Sequence, residues 1–438
     1  MILKRACVRA LLVLACPLAF APAQQEDYLP FEPLDQAGLA KSWQLALPLE
    51  ADQQLTNLYL VDDQLYLPTA DGYVFAVHAE TGAIRWLRRI SSEGYRIWRP
   101  CHSGERVIFS TPSTILQLDR ITGEGIDHMR LDFAGGTSPV SDGSRMFVGG
   151  VNQRMYAFDV TNPLHTWRVR TDGPITAAPV VRGDRVFFAC DNGSVYACAA
   201  YDKSSPRQNR TFGAVTADLV ADAEGIYVAS LDHALYLFDP LFLQLRWRTR
   251  FSGPLHEPPV LLGDTAYQYS PHDGLAAVNT DALEIEQRFR WILPQGRRAL
   301  TLDREHVFVL SRDETVLAVR RDDGTVVHTV PADGFVLADA ATKGTVLYLA
   351  SRDGLVFCAR PLGTPVVPAG EVRSALTITE AAPAEAPEDS TVATTSPAGE
   401  QLPPLQTAQP GPPVGGKSKV SQGFDQGGGG TGTESPRR

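Results

Sequence analysis

After its first two dozen residues the sequence has no long apolar run. It has no surplus of positive charge, no adjacent pair of cysteines and none of the short motifs of common catalytic chemistries. Each absence excludes something. Without an uninterrupted apolar stretch of about 20 residues, no later segment spans a bilayer as a helix. A formal net charge of −10 over 438 residues argues against nucleic acid, whose phosphates demand a basic surface. No Gly-x-Ser-x-Gly, phosphate loop or His-Glu-x-x-His occurs, and histidines such as His102, His128, His233 and His306 are scattered without metal-ligand spacing. The cysteines beyond the leader, Cys101, Cys190, Cys198 and Cys358, each fall on a predicted strand. Pairing about Asn192-Gly193 sets Cys190 opposite Val195 and Cys198 opposite Phe187, so buried free thiols are expected rather than a disulfide.

What is present begins with a leader. Lys4, Arg5 and Arg9 precede the apolar run 10–21 and Ala21-Pro22-Ala23, the pattern of a secretory signal peptide over residues 1–23. An alternative is Val13-Leu14-Ala15-Cys16 as a lipoprotein signal, with Cys16 acylated. Residues 24–42 read as an extended lead-in. Residues 364–438 are dense in Pro, Ala, Thr and Gly with Phe424 as their one aromatic, a composition that cannot offset chain entropy and is expected to be disordered.

Between these flanks the chain repeats itself. Ala76 recurs as Gln117, Ala157, Ala197, Leu237, Ala277, Ala318 and Cys358, always 40 or 41 residues apart. Ten residues before each mark stand Tyr66, Val107, Phe147, Phe187, Tyr227, Tyr267, Phe308 and Tyr348, aromatic in all but the second. An intervening turn carries Asp71, Asn152, Asn192, Asp232, Asp273, Asp313 and Asp353, with Pro112-Ser113 as the exception. Each unit splits into short apolar runs separated by Asp-Gly or Thr-Gly turns, the signature of consecutive hairpins. A period near 40 residues with four such runs predicts a β-propeller blade. Eight marks predict an all-β, eight-bladed propeller over residues 43–363. The last repeat meets Pro361, Pro365 and Pro368 where its outer strand belongs. Trp43 lies 43 residues before Trp86, so residues 41–48 are expected to supply that strand and close the ring, leaving no free sheet edge at the join.

Residues around the innermost proline column are the ones expected at the central channel. Trp98, Thr137, Ala177, Ala217, Glu257 and Arg297 are read as pointing to it, with Arg99, Asp218, His256, Arg298 and Asp339 alongside. The candidate channel or partner-facing set is Trp98, Arg99, His256, Glu257, Arg297 and Arg298. Trp98 stands apart as the tryptophan outside the outer strands.

The segment from Ala76 through Thr81-Gly82 to Trp86 resembles the Ala-x-Asp-x-x-Thr-Gly-x-x-x-Trp docking motif of pyrroloquinoline-quinone-type (PQQ-like) propellers. Weaker copies end in Trp167 and Trp247. The resemblance covers residues 43–361. It implies that Trp43, Thr81, Gly82, Trp86, Trp167 and Trp247 lock neighbouring blades, a structural task that needs no cofactor. The family contains quinone-dependent dehydrogenases and non-catalytic members, among them a periplasm-facing outer-membrane assembly factor. The enzymes need a planar slot, in many members roofed by a vicinal disulfide, and calcium held by Glu, Asn and Asp. No adjacent cysteines exist here, and 40-residue blades leave little chain for roofing loops. Two readings therefore stand. The first is a non-catalytic interaction scaffold of the bacterial periplasm or outer membrane. It would use no cofactor, bind protein partners in the envelope, act as a monomer and touch the membrane only if Cys16 is lipidated. The second is a quinone-dependent dehydrogenase or small-ligand binder using the channel. The second and fourth repeats lack the Thr-Gly…Trp pattern, which marks Tyr201–Arg210 as a place where loops could be rebuilt for a partner.

Overall fold

The computed structural model describes residues 27–92, 94–162, 166–203, 206–282 and 288–365. The leader with Cys16, the tail beyond residue 365, His165 and two residues of the Tyr201–Arg210 stretch lie outside them.

Among these residues the chain folds into eight four-stranded antiparallel sheets. In blade 1 the strands are Tyr59–Val61, Gln64–Pro68, Tyr73–His78 and Ile84–Arg89, paired in that order from the inside out. Blades 2 to 7 repeat the plan over residues 101–130, 140–170, 180–210, 220–250, 260–293 and 296–331. Blade 8 takes its three inner strands from residues 337–361 and its outer strand, Leu39–Ala46, from the start of the fold. The expected closure is therefore present, with Trp43 opposite Cys358, and the strand begins two residues earlier than residue 41.

The repeat columns have a direct physical meaning. Tyr66 faces Ala76, Phe147 faces Ala157, Phe187 faces Ala197 and Tyr227 faces Leu237 on adjacent strands. A large ring opposite alanine in blades 1, 3 and 4, and opposite leucine in blade 5, gives these sheets a shape that interdigitates with the next. These side chains form the buried clusters between blades, where burying one large apolar side chain contributes about 1.5–3 kcal/mol. Blade 2 departs from the expected register. Its hairpin about Pro112-Ser113 is one residue tighter, so Ile108 rather than Val107 faces Gln117.

The Asp/Asn column marks the turn but does not itself bend. In all seven blades the following residue has positive φ: Gly72, Gln153, Gly193, His233, Gly274, Glu314 and Gly354. The left-handed residue sits in a loop of three, not two. That one-residue difference moves the blade 4 register so that Val195 faces Ala189 and Cys198 faces Val186. The four described cysteines are free, as expected.

Two further expectations change. The innermost strands are only two or three residues long in seven blades, so Val180–Arg182 replaces the longer run anticipated from Ile175. The lead-in is not extended throughout, for Phe31–Gln36 is helical and Gly38 at φ 77° ends the turn. Leu29, Leu34, Ala37 and Leu39 are buried against Leu300, Phe308, Phe335 and Phe357, which fastens this segment to blades 7 and 8.

Candidate functional site

The expected channel set divides by alternation along the innermost segments. Trp98, Thr137, Ala177 and Ala217 are buried. Thr137 Oγ1 accepts from Gly149 N at 2.9 Å and its carbonyl accepts from Ser110 Oγ at 2.9 Å, and Ala177 and Ala217 belong to buried clusters shared by adjacent blades, so these three pack between blades instead of facing the axis. Side chains alternate along extended backbone, and the next residue is the polar one at Arg99, Asp218 and Arg298.

Asp339 is the centre of that polar set. Only 4% exposed, it accepts from Arg99 at 2.5 Å, from Arg298 at 2.7 Å and from the backbone N–H of Leu60 at 2.9 Å. Arg99 also donates to the Leu60 carbonyl at 2.5 Å. One carboxylate thus ties blades 7, 8, 1 and 2, and the two guanidiniums that sequence marked as partner-facing are committed to it. Arg297 is likewise committed. It pairs with both oxygens of Glu257, at 2.5 and 2.6 Å, and lies 4.1 Å from the Tyr269 ring centroid. His256 is exposed. Asp218 accepts from Ala178 N at 2.8 Å, and burial pushes its carboxyl above the usual range against the pull of Arg96 and Arg99. Burial also pushes the Tyr59 hydroxyl up to about 12, with Asp218 and Asp339 adding to the effect while Arg96 and Arg99 oppose it. Blade 1 therefore senses carboxylates from blades 5 and 8.

A line of three catalytic-type groups joins blades 1 and 2. Tyr66 Oη lies 2.8 Å from His102 Nε2, and His102 Nδ1 lies 2.9 Å from Asp62 Oδ2. The arrangement has the spacing of a nucleophile, base and orienting carboxylate. Tyr66, however, is 0% exposed and lodged between Trp86 and Phe109, where no substrate reaches its oxygen. The line holds a seam together. Among the described residues no three His, Cys, Asp or Glu side chains stand close enough to share a metal ion.

The seams themselves are more regular than the axis. The outer-strand indole of one blade donates to a turn carbonyl of the next: Trp43 to Ala79 at 3.1 Å, Trp86 to Arg120 at 3.2 Å, Trp167 to Ala200 at 3.2 Å, Trp247 to Thr280 at 3.2 Å and Trp291 to Arg321 at 3.0 Å. Trp43, Trp86, Trp167 and Trp247 thus stand at seams between neighbouring blades, whereas Thr81 Oγ1 bonds His78 Nδ1 within its own turn at 2.9 Å. Gly82 receives Trp43, and Gly123, whose own repeat lacks the tryptophan, receives Trp86. Trp291 was missed because it lies 14 residues after Ala277 instead of ten. The outer strands of blades 2, 4 and 7 offer no indole; between blades 2 and 3, Gln117 and Arg106 donate to the Val160 carbonyl instead, at 3.2 and 3.1 Å.

Eight four-stranded blades, five of whose seams carry an indole bond, define an eight-bladed β-propeller. A family described as the outer membrane protein assembly factor BamB matches residues 111–208. BamB from Moraxella catarrhalis is similar in fold, with a TM-score of 0.59 at 15% identity over 75% of this chain and 99% of its own. The computationally designed Ika8 protein is also similar, with a TM-score of 0.56 at 14% identity over 72% of this chain and 98% of its own. No curated protein matches the chain. At such identities the likeness is one of fold, and a fold alone assigns no activity.

Proposed function

We propose that this chain is a non-catalytic protein-interaction scaffold of the bacterial periplasm or outer membrane, acting as a monomer. The BamB-described match and the BamB-like fold support an assembly-type role. The observation that carries the reading is the turn between the two outer strands of blade 5. Leu241 and Phe242 are 60% and 57% exposed there, with Leu245 beside them at 48%. The corresponding turns hold Glu80-Thr81 in blade 1, Thr161-Asn162 in blade 3 and Asp322-Asp323 in blade 7. Adjacent large apolar side chains held in water on a rigid rim favour association with another protein. Blade 4 contributes to the same rim. Arg207 lies 4.9 Å from the Phe242 ring centroid, and Asn209 donates to the Leu243 carbonyl at 2.7 Å, within the stretch singled out from sequence.

Affinity capture from envelope extracts, comparing the native chain with a Leu241→Ser, Phe242→Ser variant, tests the proposal. A protein retained by the first and lost by the second supports it. Equal recovery by both, or a stoichiometric quinone chromophore in the purified protein, overturns it.

A further inference from the structure

Five consecutive outer strands end on arginine. Arg89, Arg130, Arg170, Arg210 and Arg250 close the outer strands of blades 1 to 5, 40 or 41 residues apart. Each pairs with the first residue of the strand beside it: Tyr73, Thr114, Arg154, Ser194 and Ala234. Equivalent rungs in equivalent blades set the five on one edge of the ring, along an arc of five blades. All five are exposed. The outer strands of blades 6, 7 and 8 end on Leu293, Pro331 and Ala46, so the sheet itself does not call for arginine here. Among the described residues none of the five forms an ion pair. Arg89 and Arg210 donate to the Ser91 and Asn192 carbonyls, each at 3.3 Å. Of the carboxylates in the adjoining turns, Asp71, Asp172, Asp191 and Asp232 are drawn back to Gln53, Gln208, Thr176 and Tyr236, and Asp132 stands exposed. The other edge of the same blades carries exposed acids, among them Asp62, Glu80, Glu105, Glu124, Asp184 and Glu224.

Apolar tips share the arginine edge. Phe212 is 79% exposed, its N–H bonds Asp232 at 3.2 Å, and its ring lies 5.0 Å from the Arg248 guanidinium. Tyr95, in the connection from blade 1 to blade 2, and Val151, in a turn of blade 3, are 54% and 45% exposed. We propose that this edge of the ring rests on a bilayer surface bearing anionic phosphate headgroups. Guanidinium matches phosphate in charge and in fork geometry, and exposed aromatic side chains settle at headgroup level. An extended peptide follows a line and meets one or two neighbouring blades, whereas a bilayer is a plane that reaches the whole arc together. Each basic side chain brought to an anionic leaflet adds to the attraction. The Leu241-Phe242 turn lies beyond Leu245, at the opposite end of the blade 5 outer strand from Arg250. Protein docking and bilayer contact therefore use different edges, and the second stands without the first. It also needs no acyl chain on Cys16.

The test uses the full chain carrying Cys16→Ser, collected after export, so that no acyl chain is attached at that position. Probes are vesicles of phosphatidylcholine alone and vesicles in which part of it is replaced by phosphatidylglycerol. The expected result is cosedimentation with the second kind only, released as added salt screens the charges. Arg170→Glu combined with Arg210→Glu should weaken it by about tenfold or more. Arg170→Lys combined with Arg210→Lys should keep it, which separates charge from fold at the same two positions. Leu241→Ser with Phe242→Ser, on the other edge, should bind vesicles as the native chain does even where partner capture is lost. Equal sedimentation with both vesicles, none with either, or full binding by the Glu variant overturns the proposal. Retention on immobilised polyglutamate without vesicle binding would give the arc to an acidic polypeptide and overturn it as well.

Discussion

The indole nitrogen of Trp43 donates to the Ala79 carbonyl, and Tyr348 Oη donates to the same oxygen at 3.1 Å. The first strand of the ring, the third blade-8 strand's neighbour Tyr348 and the turn of blade 1 thus meet at one acceptor. Gly82 completes the contact, with φ at 73° and no room for a Cβ against the ring. Gly82→Ala should cost about 2–4 kcal/mol, combining left-handed strain with overpacking against a rigid indole. Trp43→Ala should cost about 3–5 kcal/mol. Urea unfolding measures both, and a loss below 1 kcal/mol (about fivefold in the folding equilibrium) for either would contradict the lock.

Asp339 and Glu257 separate two kinds of ion pair. Asp339→Asn leaves two guanidiniums around a neutral, buried amide and should lower stability by about 2–4 kcal/mol. Glu257→Gln acts on side chains about one-third exposed, 34% and 36%, and should cost about 0–1 kcal/mol. Comparable losses from the two variants would refute the idea that Asp339 staples four blades.

His102 predicts a pH dependence. Burial holds its imidazole below the ordinary range, with Asp62 pulling the other way. The unfolded chain therefore takes up this proton more readily than the folded one, and the stability credited to neutral His102 is complete above its ordinary pKa of ~6.5. It is lost as the pH falls below that value toward the depressed one. His102→Gln should flatten the stability profile between neutral and mildly acidic pH. An unchanged slope in that variant would mean that another group sets it.

The thiols give a fourth expectation. Burial raises Cys190 to about 11 and Cys101, Cys198 and Cys358 to about 12, leaving almost no thiolate at neutral pH. A disulfide reagent should reach Cys190, Cys198 and Cys358 only after unfolding, and partly exposed Cys101 should be the first of the four to react. Rapid native labelling of Cys358 would show that blade 8 opens.

The ring was readable in the sequence because its determinants are local and periodic. A pair such as Phe147 and Ala157 recurs at fixed spacing, and even the closing strand could be inferred from Trp43 and the prolines after Cys358. Trp291 escaped because a four-residue insertion broke the spacing without disturbing the contact. The axis was harder. Asp339 meets Leu60 across 279 residues and Arg99 across 240, and no column predicts which charges neutralise one another. Helix Phe31–Gln36 was hidden for a similar reason, since its short stretch has Leu34 as its one buried residue and depends on blades 7 and 8 for stability.

Leu39 and Pro361 are the first rung of the pairing that shuts the ring. Because the two strands run in opposite directions, the backbone enters and leaves the torus at one spot. Tension applied between the preceding and following segments would first peel Leu29 and Leu34 from blades 7 and 8 and then load that rung, unzipping the join one hydrogen bond at a time instead of shearing all of its rungs together. Under a single-molecule force ramp blade 8 should therefore part first and at low force, with the other seven wedges still intact.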